Sequence, residues 1–305
     1  FQPHLAAEVL ANRYGDCKDK HTLFAALLRS IGVASSPVLV SSGMEVDSGV
    51  ASPGQFDHMI TQVIAGSDTL YLDTTPEVGP FGYLVPPLRG ALGLVTPLEG
   101  RAYIARLPDA LPFGQYQHFV ADGAVDSLGH VRAALRYTLR GDGEYVLRAV
   151  FRTLPQDRPD QLAAAFAQRL GFMGTGTALH ASDPNDTHAA FSFDFRLERP
   201  DLDWRGRTAD LKLPLAPFAM PDVDADSART TGDSIDLAAA EFRARAQFRV
   251  PDAWTVALPA GVQVTREYGQ YASSYTFTNH LIVAERVLRL SHGVPRGRAA
   301  DLATF

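Results

Sequence analysis

The spacing of apolar residues in the first third of the chain predicts helices first and strands later. Residues 3–13 (PHLAAEVLANR) open with proline and predict a short helix. Gly15 interrupts this helix, and Asp16 is a suitable N-cap for a second one that ends at Gly32. The apolar residues of the second helix recur at the i, i+3, i+4, i+7 spacing of one helical face: Phe24, Leu27, Leu28 and Ile31.

Strand-like runs follow the second helix. SPVLVSS (residues 36–42) is a short β-type run, and a loop rich in Gly and Ser over residues 42–54 separates it from two more. QFDHMITQVI and TLYLDTT, joined by AGSD, predict a hairpin with its turn near Gly66 and Ser67. From about residue 76 Pro and Gly become frequent, which predicts a long ordered loop.

The remainder of the chain is predicted to be mainly β-structure. Residues 118–143 are typical of paired strands, whereas residues 143–171 predict two helices separated by PQDRP. Runs that alternate or are rich in β-favouring residues then return at 188–199, 240–250, 265–279 and 280–290. The predicted class is therefore α+β, with one domain over residues 1–105 and a β-rich one over residues 106–305.

Composition excludes some classes of function. The 305 residues carry a formal net charge of −6 at pH 7 and no basic stripe, which argues against nucleic-acid binding. No apolar run approaches the ~18–20 residues that cross a bilayer, so no transmembrane segment is predicted. A single cysteine excludes an internal disulfide but does not decide the compartment. The chain starts at Phe1 without an initiator methionine or a signal peptide, so we expect that an upstream segment has been left out.

The single cysteine, Cys17, falls in the first turn of the second predicted helix, directly after Gly15 and Asp16. A helix N-terminus presents free backbone N–H groups and a partial positive charge, and both favour a thiolate over a thiol. The thiolate is the nucleophilic form, so this position suits covalent catalysis. The alternative is an inert cysteine that packs as a small apolar residue.

A base and an acid for this thiol are available on the predicted hairpin. The turn position places Asp73 opposite Ile60 and therefore diagonally beside His58. Diagonal neighbours lie roughly 7–8 Å apart, which is within side-chain reach. A carboxylate there would fix the tautomer of the imidazole and stabilise its protonated form, as in a catalytic triad. The alternative for Asp73 is a role in starting a turn with Thr74 and Thr75.

Residues near the thiol leave further alternatives open. His21 lies one helical turn after Cys17 and is a rival base, because i and i+4 side chains are neighbours on a helix. Asp16 and Asp19 are better explained as residues that cap or line the helix start. Tyr14 or the backbone N–H of Cys17 would donate to an oxyanion, and the backbone group is the safer choice.

No sequence motif indicates a metal or another cofactor, so none is predicted. Residues 222–233 (DVDADSARTTGD) resemble the start of a calcium loop but carry Ser227 and Asp233 in place of the required Gly and Glu. A solvated acidic loop explains them better. CxxC, HExxH and P-loop motifs are lacking, and the remaining histidines do not have metal-ligand spacing. The arginines of the two-helix segment are assigned to a solvated surface: Arg148, Arg152, Arg158 and Arg169.

Taken in order, the motifs around these residues resemble the transglutaminase-like superfamily of bacterial proteins. RYGDCKDK with LLRSIGV, then FDHMI, then LDTT follow the pattern of that superfamily's core, over residues 1 to about 105. The resemblance implies a fold related to papain-like cysteine proteases, with the thiol helix packed on an antiparallel sheet. It also implies roles for three residues, with Cys17 as nucleophile, His58 as base and Asp73 as the group that orients the base.

The resemblance is closest to multidomain members with β-rich domains on both sides of the core. GPFGYLVPPLRGALGLV and GEYVLRAVFR also resemble those proteins, although they are much less diagnostic. The resemblance implies that an upstream β-rich domain and the first part of the core are missing here. It implies export to the periplasm or cell envelope rather than residence in the cytosol.

Two hypotheses about function follow. In the first, the chain is an enzyme that performs thiol-dependent acyl transfer on the amide bonds of a protein or peptide through a cysteine thioester. The thioester then passes to water or to an amine, and hydrolysis is favoured because nothing in the sequence indicates that water is excluded. In the second, the core is an inactive scaffold, and the β-rich part binds protein or glycan in the cell envelope.

Overall fold

Helices and largely antiparallel sheets occupy separate stretches of the chain in the computed structural model, consistent with the predicted α+β class. The structure describes residues 2–155, 157–200, 202, 204–205, 207–218 and 239–291. The chain divides into two compact units, Phe1–Phe113 and Gly114–Phe305. The division between the units therefore follows Phe113, whereas the boundary predicted after residue 105 would fall inside the strand Tyr103–Arg106.

Two helices open the first unit, α1 over Ala6–Asn12 and α2 over Cys17–Ser30. Helix α1 ends because Arg13 adopts a left-handed conformation with φ of 53°. A reciprocal capping box then starts α2. The backbone N–H of Asp19 donates to the Asp16 carboxylate at 3.2 Å, and the N–H of Asp16 donates to the Asp19 carboxylate at 3.4 Å.

The buried face of α2 differs from the predicted one. Leu27 and Ile31 are 54% and 73% exposed, whereas the buried residues of the helix are Asp19 and His21. The helix is turned so that the ring of His21 bonds the hydroxyl of Thr61 on the neighbouring sheet. The spacing of apolar residues did not predict this buried face, because a prediction from spacing takes the face with the most apolar residues as the one that packs.

The sheet of the first unit is antiparallel throughout, with strands in the order β3-β2-β1-β4-β5. Its strands are β1 (Ala34–Val40), β2 (His58–Ala65), β3 (Asp68–Leu72), β4 (Leu92–Val95) and β5 (Tyr103–Arg106). Helix α2 packs against β1 and β2. The core beside the sheet is apolar and consists of Val38, Val40, Ile60, Leu84, Leu88, Val95 and Leu107.

The segment predicted as a long loop contains regular structure. A short 3₁₀ helix covers Pro86–Leu88, and β4 and β5 follow it. A Cβ at Gly93 would lie 2.8 Å from a methyl group of Val38. Gly93 is one of the glycines on which the loop prediction was based, and its lack of a side chain is what allows β4 to approach the core.

In its described residues, the second unit is built on an eight-stranded sheet. Its strands are β6 (Gln115–Val125), β7 (Val131–Arg140), β8 (Thr175–Ala181), β9 (Phe191–Arg199), β12 (Ala240–Arg249), β13 (Val262–Arg266), β14 (Gly269–Thr278) and β15 (Leu281–Leu290). A small separate pair is formed by β10 (Trp204–Arg205) and β11 (Thr208–Ala209). The eight strands run in the order β13-β14-β15-β12-β6-β7-β9-β8, and β6 and β12 are parallel. The run predicted over 265–279 is divided between β13 and β14, and β8 was not predicted.

Two helices of the second unit, α3 (Asp142–Thr153) and α4 (Pro159–Arg169), match the two-helix segment predicted over residues 143–171, except that α3 begins one residue earlier. Their apolar residues join a core of closely packed aromatic rings. The rings of Phe151 and Phe191 are 5.1 Å apart, and those of Phe166 and Phe193 are 5.0 Å apart. Such ring pairs stabilise a core by about 0.5–1.5 kcal/mol beyond their buried area.

Arg148 corrects the prediction of a solvated arginine surface. Its side chain is 1% exposed and Glu144 is fully buried, with Arg148 Nη2 2.8 Å from Glu144 Oε1. The guanidinium also donates to the backbone carbonyls of Asp183, Pro184 and Ala189. This pair therefore fastens α3 to the segment that precedes β9. Loss of Glu144 from such a pair costs about 3–5 kcal/mol, because it leaves the buried Arg148 charge without a carboxylate.

Two findings concern the membrane and calcium expectations. Among the described residues, no helix has both the length and the apolar composition that a bilayer crossing requires.

The acidic segment at 222–233 lies outside the described residues, so its assignment as a solvated loop stays a prediction.

Candidate active site

Cys17 is the first residue of α2 and is partly exposed to solvent. Gly15, two residues earlier, allows the chain to enter the helix tightly, because a Cβ at Gly15 would lie 2.6 Å from the Cβ of Asp19. Asp19 in turn accepts from the backbone N–H of His4 at 2.8 Å and contacts the His4 ring at 3.0 Å. Contacts with Gly15 and His4 thus fix Asp19 in the first turn of α2, and Cys17 is the first residue of that turn.

His58 and Asp73 lie in direct contact. His58 is the first residue of β2, and its Nε2 is 2.9 Å from Oδ2 of Asp73. The register of β2 with β3 pairs Thr61 with Leu72, and one further step places Asp73 opposite Ile60, as predicted. The Asp73 side chain is 1% exposed and that of His58 is 17% exposed. The carboxylate is therefore buried behind the ring.

The thiol of Cys17 acts on the same ring. Interaction with the Cys17 side chain contributes to the raised pKa of His58. Because Nε2 is engaged by Asp73, Nδ1 is the nitrogen left for the sulfur. The structure thus brings together the three side chains that the sequence singled out, in the order thiol, imidazole, carboxylate.

Both partners of the ring affect its charge. The hydrogen bond to Asp73 raises the pKa of His58 to about 9, although burial opposes this, and the contact with Cys17 adds to the rise. Burial acts to raise the pKa of Asp73, but the hydrogen bonds from His58 and Thr75 outweigh it, so that this pKa lies below its ordinary value. An imidazolium between two potential anions is the form that these contacts favour.

Thr75 is a site residue that the sequence reasoning did not recognise as such. Its backbone N–H and its hydroxyl donate to Oδ1 of Asp73 at 2.8 Å and 2.7 Å. The turn expected after Asp73 is therefore present, but it uses one carboxylate oxygen and leaves the other for His58. The Asp-x-Thr spacing is a known turn signal and could have indicated these bonds.

His21, the rival base, is engaged elsewhere. Its Nδ1 is 2.8 Å from the hydroxyl of Thr61 on β2, and the residue is 8% exposed. Burial lowers the pKa of His21, which favours a neutral ring. A neutral ring bonded to a hydroxyl lacks the carboxylate that would support it as a base.

The remaining candidates near the thiol separate into two groups. Asp16 and Asp19 cap α2, as expected, and Asp16 also pairs with Lys18. The Tyr14 side chain is 83% exposed, so it does not pack as an aromatic anchor. Within the described part of the chain, the backbone N–H groups of Cys17 and Lys18 have no acceptor, and they remain available to a developing oxyanion.

Protonation of His58 is expected to stabilise the fold up to neutral pH. The pKa of His58 rises from 6.5 to about 9 on folding, so the stabilisation is complete below 6.5 and is lost as the pH rises through 9. We expect the advantage of wild type over His58→Gln in unfolding free energy to fall by about 3 kcal/mol between about pH 6 and pH 10.

Hydrogen exchange of β2 peptides in both proteins measures that advantage at each pH. Fluorescence would not, because both tryptophans, Trp204 and Trp254, lie in the second unit. A difference that stays constant with pH would show that folding does not favour the protonated ring.

No metal site accompanies the triad in the residues that the structure describes, since these contain no group of three His, Cys, Asp or Glu side chains arranged to hold an ion.

Comparison with known proteins adds little to this picture. No family model matches the sequence, and no curated protein matches it. One solved structure, from Parabacteroides distasonis and described as a "putative protease", is similar with 12% sequence identity and a TM-score of 0.47. The alignment covers 98% of this chain and 42% of that one, so the chain spans less than half the length of this neighbour. A likeness at this level carries no inference about activity, and the function is inferred from the site itself.

Proposed function

We propose that this chain is a thiol-dependent acyl transferase of the transglutaminase-like type that cleaves amide or peptide bonds, mainly by hydrolysis. The observation that supports this most directly is one imidazole that interacts with both a thiol and a carboxylate. His58 contacts the thiol of Cys17 and, at 2.9 Å, the buried carboxylate of Asp73. The sequence motifs around these residues add the family resemblance, and residues 1 to about 105 would form the catalytic core.

The first chemical step forms a thioester. The Cys17 thiolate attacks the carbonyl carbon of the amide, and the electron pair of the carbonyl moves onto its oxygen. The resulting oxyanion would accept hydrogen bonds from the free N–H groups at the start of α2. When the intermediate collapses, the C–N bond breaks and the His58 imidazolium gives its proton to the departing amine.

The second step releases the acyl group. His58, now neutral, takes a proton from water, and the resulting hydroxide attacks the thioester carbonyl. The C–S bond breaks, the carboxylic acid leaves, and the thiolate–imidazolium pair is restored. A primary amine in place of water would give transamidation by the same route. Asp73 keeps the ring oriented in both steps and stabilises its positive charge.

The electrostatic part of the proposal is tested by alkylation of Cys17, which needs no substrate. We expect iodoacetamide at about pH 6.5 to modify native wild type at least about tenfold faster than the same chain denatured in guanidinium chloride. His58→Gln should remove most of this advantage, because it removes the cation beside the sulfur. Since the chain has one cysteine, intact mass reports the reaction at this site alone.

The covalent part is tested by trapping the thioester. Peptide and glutamine donors are mixed briefly with the protein, acid stops the reaction, and intact mass detects an acyl adduct that hydroxylamine removes. Protein alkylated beforehand is the control and should give no adduct. A native thiol no more reactive than the denatured one, with no adduct from any donor, would contradict the enzyme and favour the scaffold that binds protein or glycan.

A further inference from the structure

The two oxygens of the Asp73 carboxylate have different partners. Oδ1 accepts from the backbone N–H and the hydroxyl of Thr75, at 2.8 Å and 2.7 Å. Oδ2 faces Nε2 of His58 at 2.9 Å. Three hydrogen bonds on a side chain that is 1% exposed fix both its position and its rotation.

We propose that Thr75 is a positioning residue, whose hydroxyl holds Oδ1 of Asp73 so that Oδ2 is presented to the ring of His58. Its catalytic significance rests on the function proposed above, whereas its effect on the ring does not. A carboxylate held on one side only by a backbone N–H could rotate about its χ2 axis, a torsion with broad preferences. The hydroxyl supplies the second bond that prevents this rotation.

Thr74 offers a matched control next to the proposed residue. It has the same side chain and is likewise partly buried. Among the hydrogen bonds between described residues, none involves the hydroxyl of Thr74, whereas that of Thr75 donates to Asp73. A Thr→Val change at either position removes one hydroxyl and preserves the shape of the side chain.

The charged and titratable groups that act on His58 belong to three different segments. Asp73 follows β3, Cys17 starts α2, and Asp57 directly precedes the ring in the chain. Asp57 is held by the backbone N–H and the hydroxyl of Ser42, each at 2.8 Å. A change at Thr75 alters the contacts of Asp73 alone among these groups.

The test is an NMR titration of the His58 ring, assigned by comparison with His58→Gln. We expect the pKa of His58 to be about 9 in wild type and Thr74→Val and to fall by about 1 in Thr75→Val. Thr75→Ser keeps the hydroxyl and should return the wild-type value. Thr75→Ala, which also lacks the hydroxyl, replaces Thr75→Val if the latter does not fold.

The outcomes separate this inference from the proposed function. An unchanged or higher pKa of His58 in Thr75→Val would overturn the positioning role, because loss of a donor without rotation makes the carboxylate a stronger partner for the cation. If the pKa falls but Cys17 is inert to iodoacetamide and forms no thioester, the positioning role stands and the enzymatic proposal fails. If Cys17 forms a thioester and the pKa of His58 is the same in Thr75→Val as in wild type, the enzymatic proposal stands and the positioning role of Thr75 fails.

Discussion

A Cys17→Ala variant is expected to lose turnover of any amide or peptide donor that wild type accepts, by a factor on the order of 10⁵ or more. Alanine removes the only sulfur that could form the thioester, while the free N–H groups of α2 remain. Residual hydrolysis should therefore be limited to what binding and the helix start provide. Steady-state rates on the best donor of the trapping screen measure the loss.

Ser30→Ala at the other end of α2 is the control for that loss. The Ser30 hydroxyl donates to the carbonyl of Leu27 on the exposed part of the helix, far in sequence from the thiol. This variant should keep wild-type turnover within a factor of about two, since surface changes of this kind rarely affect a fold. Turnover by Cys17→Ala at the level of Ser30→Ala would end the case for a covalent mechanism.

Substitution of the two histidines near Cys17 should give very different results. His58→Gln is expected to lower kcat/KM by about 10³–10⁴, because it removes both the proton donor and the cation beside the sulfur. His21→Gln should change kcat/KM less than about threefold, because a glutamine amide can still bond the Thr61 hydroxyl. Measurement of kcat/KM for both variants on one donor checks the assignment of the base.

The pH dependence adds an independent readout for the same residue. Since the pKa of His58 is about 9, wild-type activity should decline as the pH rises through this value and the ring loses the proton that the leaving amine needs. For the two substitutions, an equal loss of kcat/KM in His21→Gln and His58→Gln would show that His58 has been wrongly assigned as the base.

Local sequence patterns were sufficient to predict the elements that carry the site. The Gly-Asp pair before Cys17 predicted a capped helix, and the turn near Gly66 set the register that brings Asp73 beside His58. Both predictions depend on short-range rules, namely capping and hairpin geometry. Such rules do not require knowledge of what packs on the element.

The parts that could not be predicted depend on contacts between distant residues. The bond between His21 and Thr61 determines which face of α2 is buried, and it joins residues 40 positions apart. Arg148 is buried because Glu144 and three carbonyls surround it, which periodicity cannot show. In β4, the close approach of Gly93 to Val38 turned an apparent breaker into a packing requirement.

The buried pair of Glu144 and Arg148 constrains how this part of the chain can evolve. Replacing Glu144 removes the carboxylate from two arginines, Arg148 at 2.8 Å and Arg140 at 3.1 Å, and leaves the buried Arg148 charge without compensation. A mutational path that begins with the loss of Glu144 therefore passes through a strongly disfavoured single mutant. Positions 144 and 148 are expected to drift in concert, or to stay fixed, across descendants of this sequence.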